Sequence, residues 1–169
     1  MSATYQRLAA GNTLSVLCIG SGLIPARNFE IARERAKIAL VDLAPELVLV
    51  GIVDWFGLYV AELCAKMKIP FIAVVTYTDM RSIQDLTKIE KDRLIKIANQ
   101  TLSATKINDL ESEMPTETFR DAWLIKHGDI MLTVCDKKER LILRHAKSEN
   151  KKICYVNAEG PTYENICCY

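Results

Sequence analysis

Residues 47–75 read LVLVGIVDWFGLYVAELCAKMKIPFIAVV. The ends of this stretch, Leu47–Val50 and Ile69–Val75, are short apolar runs rich in β-branched residues. A strand with no polar side belongs in a sheet buried on both faces, as parallel sheets are. Between them, Phe56, Tyr59, Val60, Leu63, Cys64 and Met67 follow the i, i+3, i+4, i+7 spacing of one helix face. Strand, helix, strand is the βαβ unit, because parallel neighbours need a long crossover.

The same alternation extends in both directions. Upstream, Leu14–Ile19 reads as a first strand ending at Gly20-Ser21-Gly22. A helix then starts near Asn28, a capping residue, and Phe29, Ala32, Ala36, Ala39, Leu40 and Leu43 mark its apolar side up to Pro45. Downstream, a polar stretch (77–87) leads to a helix over Lys88–Asn99 and a strand over Thr101–Ile107. A second polar loop, Asn108–Pro115, precedes a helix opened by Thr116, with Phe119, Ala122, Trp123 and Lys126 on one side. A strand at Asp129–Val134, a helix over 137–148 and a strand at Lys152–Val156 complete the pattern. Such alternation specifies a three-layer, Rossmann-like α/β fold with a mainly parallel sheet. No repeat or linker divides the chain, so 1–169 reads as one domain with its core over about 12–157. Right-handed crossovers gather the loops 20–28, 51–55, 76–87, 108–116 and 135–137 at the carboxyl edge of the sheet, where such folds bind ligands.

Composition narrows the function classes. The 22 Lys+Arg and 21 Asp+Glu leave a net charge of +1, which supplies no strong field for nucleic acid or an anionic membrane. No run reaches the roughly 18 apolar residues of a membrane span. The run Leu14–Ile24 could pass for a signal-peptide core, but Gly20, Ser21 and Gly22 interrupt it and only Arg7 precedes it. The six cysteines include no CxxC pair, and most sit in apolar runs as small hydrophobes, which favours a reducing cytoplasm. Cys167 and Cys168 are either a frayed tail or a redox or metal-binding one. No metal site and no coenzyme is expected. Glycine is scarce, with 7 residues where average usage would give about 12.

Several loop residues have two open readings. Gly20, Ser21 and Gly22 let a backbone approach a phosphate, or simply form a turn. Gly51 closes a strand. Asp54 caps the following helix or binds a ribose hydroxyl. Trp55 stacks on a base or covers the end of the sheet. Glu62 lies on a solvated helix face or serves as a general base. Arg120 clamps a phosphate through its planar fork, or pairs with Asp121 or another surface carboxylate. His127, at a helix C-terminus before Gly128, suits a dipole-facing role better than catalysis. Arg27, Arg81, Lys137 and Lys138 near the same edge favour an anionic ligand.

Three segments together resemble a known family. GIVDWFGLYVAEL (51–63) is similar to the second motif of YpsA-like proteins, which ends in Trp-Ala-Ala-Glu-Leu. KIPFIAV (68–74) resembles their third strand, with Thr76-Tyr77 where they have Pro-Phe, and Ile97-Ala98-Asn99 falls where they have Ala-Asp. FRDAWLIKHGD (119–129) resembles their Arg-Asn segment. YpsA-like proteins belong to the SLOG superfamily, with the DprA and LOG families. The resemblance implies a Rossmann-like fold, a nucleotide or nucleotide-derived ligand, and Gly20, Ser21, Gly22, Gly51, Tyr59, Glu62, Arg120 and Asp136 as matching site positions. Asp54, Trp55 and Thr76 join them as candidate ligand contacts. The chain also departs from the family. Trp55 stands where a glycine is expected, Gly57 where an acid is expected, and the glycine-rich loop after Asp136 is replaced by KKER (137–140). These departures point to binding without turnover. The alternatives are a LOG-like nucleoside-5′-phosphate N-glycosidase with Glu62 as catalytic carboxylate, and a structural or protein-interaction module that has lost the ligand. A homodimer through helices, with Phe119 and Trp123 at the interface or in the core, is a further expectation.

Overall fold

A computed structural model describes residues 15–19, 29–51, 55–76, 88–89, 92, 103–107, 116–134 and 141–156. In chain order the elements are β1 (Ser15–Cys18), α1 (Phe29–Leu43), β2 (Leu47–Gly51), α2 (Trp55–Met67), β3 (Phe71–Thr76), β4 (Ser103–Ile107), α3 (Thr116–His127), β5 (Ile130–Thr133), α4 (Leu141–Ser148) and β6 (Lys152–Tyr155). Lys88, Ile89 and Asp92 are helical, within the crossover expected between β3 and β4. The six strands form one sheet in the order β4-β3-β2-β1-β5-β6, and every pairing is parallel.

The two faces of the sheet follow from strand periodicity. Val16 and Cys18 of β1 point one way, with Val48 and Val50 of β2. They meet Ala32, Ala36 and Leu40 of α1 and Phe56, Val60 and Cys64 of α2. Leu17 and Ile19 point the other way, with Leu47 and Leu49. They meet Leu124 and Ile125 of α3 and Ile142, Leu143 and Ala146 of α4. Helices on both sides leave β1 and β2 fully buried, which is why their sequences are apolar at nearly every position. The alanines of α1 are also explained: small side chains let that helix lie close to the sheet.

Glycine scarcity shows at the helix ends. A left-handed residue commonly closes a helix, and glycine usually fills that position. Here Ala44, Lys68 and Asn150 do so, at φ of 42°, 59° and 54°. After α2, the Ile69 N–H donates to the Cys64 carbonyl at 2.9 Å and the Lys68 N–H to that of Ala65 at 3.3 Å. The same 6→1 and 5→2 pair recurs after α4, from Lys151 to Ala146 and from Asn150 to Lys147. Both are Schellman closures made without glycine.

One glycine is fixed by space. A Cβ on Gly128, in the turn between α3 and β5, would lie 2.6 Å from Leu17 Cδ2 and 2.8 Å from Leu17 Cβ. The same turn is tied to β1 by Asp129, whose Oδ2 accepts from the Ser15 N–H at 2.8 Å and lies 3.0 Å from the Ser15 hydroxyl oxygen. The Asp129 N–H donates back to the Ser15 carbonyl at 3.0 Å. The C-terminus of α3 therefore sits at the amino edge of the sheet, and its N-terminus at the carboxyl edge.

Candidate functional site

Strand order reverses at β1. From β1 the chain winds outward through β2, β3 and β4, then returns to place β5 on the other side of β1. In folds with such a reversal, ligands bind outside the carboxyl ends of the strands on either side of it. The β1–β5 ladder pairs Val16 with Ile130, Leu17 with Met131 and Cys18 with Leu132. One step beyond, the Thr133 hydroxyl donates to the Ile19 carbonyl at 2.7 Å, fully buried. A side chain thus serves the Ile19 carbonyl just past the last ladder pair. The Thr133 carbonyl in turn accepts from the Val156 N–H at 2.8 Å. Thr133 joins three chain segments at the carboxyl ends of β1, β5 and β6.

Gly51 forms part of the same floor. A Cβ there would lie 3.2 Å from Ile19 Cδ1 and 3.4 Å from Leu124 Cδ1. Its lack of a side chain lets α3 and the end of β1 close over β2. Leu124 thus marks where α3 crosses the end of β2, and Arg120 lies one turn nearer the helix N-terminus. Helical side chains lean toward their own N-terminus, so Arg120 belongs at the carboxyl edge. Arg120 is 5% exposed. Its Nε and Nη2 lie 3.1 and 3.0 Å from Asp121 Oδ1. The pairing with Asp121 considered from sequence is present, but it is buried, where a surface pair was expected.

On the opposite face, α1 and α2 bring a second group of polar residues toward the same edge. The Arg33 guanidinium stacks over the Tyr59 ring, 5.0 Å from its centroid. Its Nη1 pairs with Glu30 Oε1 at 2.8 Å, and the Tyr59 hydroxyl donates to the Arg33 carbonyl at 3.3 Å. Burial raises the Tyr59 pKa, and the charges of Glu34, Glu30 and Glu62 add to this against the lowering effect of Arg33. Glu62 is therefore an electrostatic neighbour of Tyr59. Among the described residues, the buried Arg33 Nε has no hydrogen-bond partner. Nothing in the loop motifs singles out Arg33; the signal the sequence carries for it is the i, i+3 spacing of Glu30 and Arg33 in the first turns of α1.

The other candidates divide by position. Trp55 is the first residue of α2, and Thr76 is the last of β3, paired with Ile107 of β4. Gly20, Ser21, Gly22, Asp54 and Asp136 lie outside the described residues. So do Phe119's side chain and the basic residues Arg27, Arg81, Lys137 and Lys138. His127 is at the amino edge, away from the crevice: its carbonyl accepts from the Ser15 hydroxyl at 2.8 Å. Its Nδ1 lies 2.8 Å from the Trp123 carbonyl, which can only accept, so that nitrogen carries the proton. The ring stacks on Trp123, which is half-buried against the core of this face. No group of His, Cys, Asp and Glu among the described residues is arranged to hold a metal ion. Among the same residues no helix is long and apolar enough to cross a membrane.

No family model matches the chain, and no curated protein matches it. Among solved structures it is similar to DNA processing protein A (DprA) from Streptococcus pneumoniae, with a TM-score of 0.58 over 95% of this chain. The chain has a DprA-like Rossmann fold. Sequence identity is 11%, so the likeness carries the fold alone. The chain spans about half the length of that protein, 54%. The Rossmann-like architecture expected from the sequence is borne out.

Proposed function

We propose that this chain is a divergent SLOG-type domain that binds a nucleotide or nucleotide-derived small molecule in the carboxyl-edge crevice without turning it over. The observation that supports this most is Arg120: a nearly fully buried arginine one turn beyond the point where α3 closes over Gly51 and Ile19. Burying a guanidinium is costly unless it is paired. An arginine held at the strand ends beside a switch point suits polar ligand recognition better than packing. The YpsA-like resemblance supplies the nucleotide class, and Gly20–Gly22, Asp54, Trp55, Thr76 and Asp136 are the further contacts in this reading. The domain acts as a sensor, a sequestering protein or an accessory factor. Its buried free thiols, Cys18, Cys64 and Cys154, suit a cytoplasmic setting. Homodimerisation is part of the proposal; a solution mass of one chain would remove it.

Thermal shift against nucleosides, nucleotides, NAD, ADP-ribose and cyclic nucleotides tests the reading. Stabilisation by at least one compound, lost in Arg120→Ala, supports it. The absence of any shift at concentrations far above a plausible dissociation constant sinks it. A single-stranded oligonucleotide belongs in the same panel, because the DprA neighbour is a DNA-processing protein. The near-zero charge predicts little oligonucleotide binding at moderate salt. The hydrolytic alternative rests on Glu62 lying beside Tyr59. Release of free base from nucleoside monophosphates, abolished by Glu62→Gln, would establish it over binding alone.

A further inference from the structure

Tyr59 is engaged twice by one residue of the neighbouring helix. Its hydroxyl donates to the Arg33 carbonyl at 3.3 Å, and the Arg33 guanidinium lies over its ring, 5.0 Å from the centroid. Arg33 Nη1 is anchored in turn to Glu30 Oε1 at 2.8 Å. Arg33 stands in the second turn of α1 and Tyr59 in the second turn of α2. Each helix follows the carboxyl end of a parallel strand, so both residues lie toward that edge. The clasp leaves Arg33 Nε buried with no hydrogen-bond partner among the described residues. Buried donors are nearly always paired, and the penalty for leaving one unpaired is of the same order as the gain from a cation–π stack and one hydroxyl bond. The clasp therefore adds little to overall stability. What it fixes is position, because Tyr59 holds both the backbone and the side chain of Arg33.

We propose that Tyr59 is a positioning residue for the ligand and not a ligand contact: with Arg33 it sets where the first turns of α1 stand at the carboxyl edge. The inference rests on the reading that a nucleotide-derived ligand binds at this edge. In sequence, α1 follows Gly20-Ser21-Gly22, which that reading places against the ligand. Holding a binding element in its bound position raises affinity by removing the entropy loss of ordering it. With the clasp closed, the Tyr59 hydroxyl proton goes to the Arg33 carbonyl and one ring face to the guanidinium. The YpsA-like resemblance makes Tyr59 a site position; the clasp gives it a part played through α1.

The test uses the full chain with Tyr59→Phe, which removes the hydroxyl and keeps the ring, and Arg33→Met, which removes the guanidinium. Backbone amide exchange along α1 is followed together with Tm, and AMP and adenosine affinities are measured well below each Tm. Exchange in the first turns of α1 should speed up roughly tenfold relative to its last turn in both variants. Affinity for AMP or adenosine should fall roughly fivefold in step with it, while Tm drops by no more than about 4 °C. Arg33→Lys, which keeps a cation over the ring, should recover part of both effects. Weakened binding in Tyr59→Phe with unchanged exchange marks Tyr59 as a direct ligand contact and overturns the proposal. Faster exchange with unchanged affinity also overturns it while leaving the nucleotide reading intact. A fall in Tm with neither exchange nor affinity selectively changed reduces the clasp to packing and overturns it as well. Selective exchange in the variants, with neither compound bound to the wild type, supports the hold of Tyr59 on α1 and counts against nucleotide binding.

Discussion

At Gly128 a single missing methyl group decides how α3 meets β1. A Cβ would sit 2.8 Å from Leu17 Cβ, an atom that cannot swing aside without moving its backbone. Gly128→Ala should therefore destabilise the fold by about 2 kcal/mol, the usual scale of overpacking. For a domain of this size that lowers Tm by roughly 4–8 °C; an unchanged melting curve would remove the argument. Thr133→Val keeps shape and volume but strands the Ile19 carbonyl in a dry site. It should cost about 1–3 kcal/mol in chemical denaturation, the penalty for an unpaired buried acceptor. Neither residue was legible as important from sequence. Gly128 is fixed by a residue 111 positions earlier and Thr133 by one 114 positions earlier, and no local pattern reports contacts that distant. Arg120 was legible as a candidate through the resemblance of FRDAWLIKHGD (119–129) to an arginine-containing family segment, beside an equally open reading as a surface ion pair. Its burial was not, since the pairing with Asp121 reads equally well as a surface pair.

Elements were the most readable level. β1, β2, β3 and β5 follow from apolar runs and α1, α2 and α3 from i, i+3, i+4 spacing, because parallel strands buried on both faces and one-sided helices imprint their burial directly on sequence; β4, with Ser, Thr and Lys among its five residues, follows only from alternation. Helix ends were less readable, since Ala44 and Lys68 adopt left-handed backbone with no glycine to announce it. That strain gives a prediction: Ala44→Gly or Lys68→Gly should stabilise the chain by up to about 1 kcal/mol, because the left-handed conformation costs an ordinary residue more than glycine. A fall in denaturation midpoint would show that their side chains contribute more than the backbone loses. The α1–α2 contact carries a pH signature. Tyr59 has a raised pKa, caused first by burial. The native state thus holds that proton more tightly, and the contribution is whole below the ordinary tyrosine range and lost as pH rises through it. Tyr59→Phe should flatten the stability–pH curve above about pH 10; identical slopes for the two proteins would contradict this.

For the whole molecule, the sheet order was the feature periodicity could not give. Alternation fixes the layers, but only the pairing of β5 with β1 locates the reversal in strand order, the place where such folds bind ligands. The interior also predicts how the fold fails in alkali. Burial pushes the Cys64 thiol up to about 12 and holds the Cys18 thiol well above its ordinary value. Protonated thiols are thus part of the native core, and stability should fall as pH rises above the free-thiol range, with free energy the thiolates cannot recover in an apolar site. The central claim is that the carboxyl-edge crevice holds a nucleotide-derived ligand through Arg120. It is tested most directly by isothermal titration of the wild-type chain and Arg120→Ala with the compound giving the largest thermal shift. Saturable one-site binding to the wild type, weakened at least roughly tenfold in a variant that still melts cooperatively, is the predicted result. Equal affinity in the two proteins would contradict it.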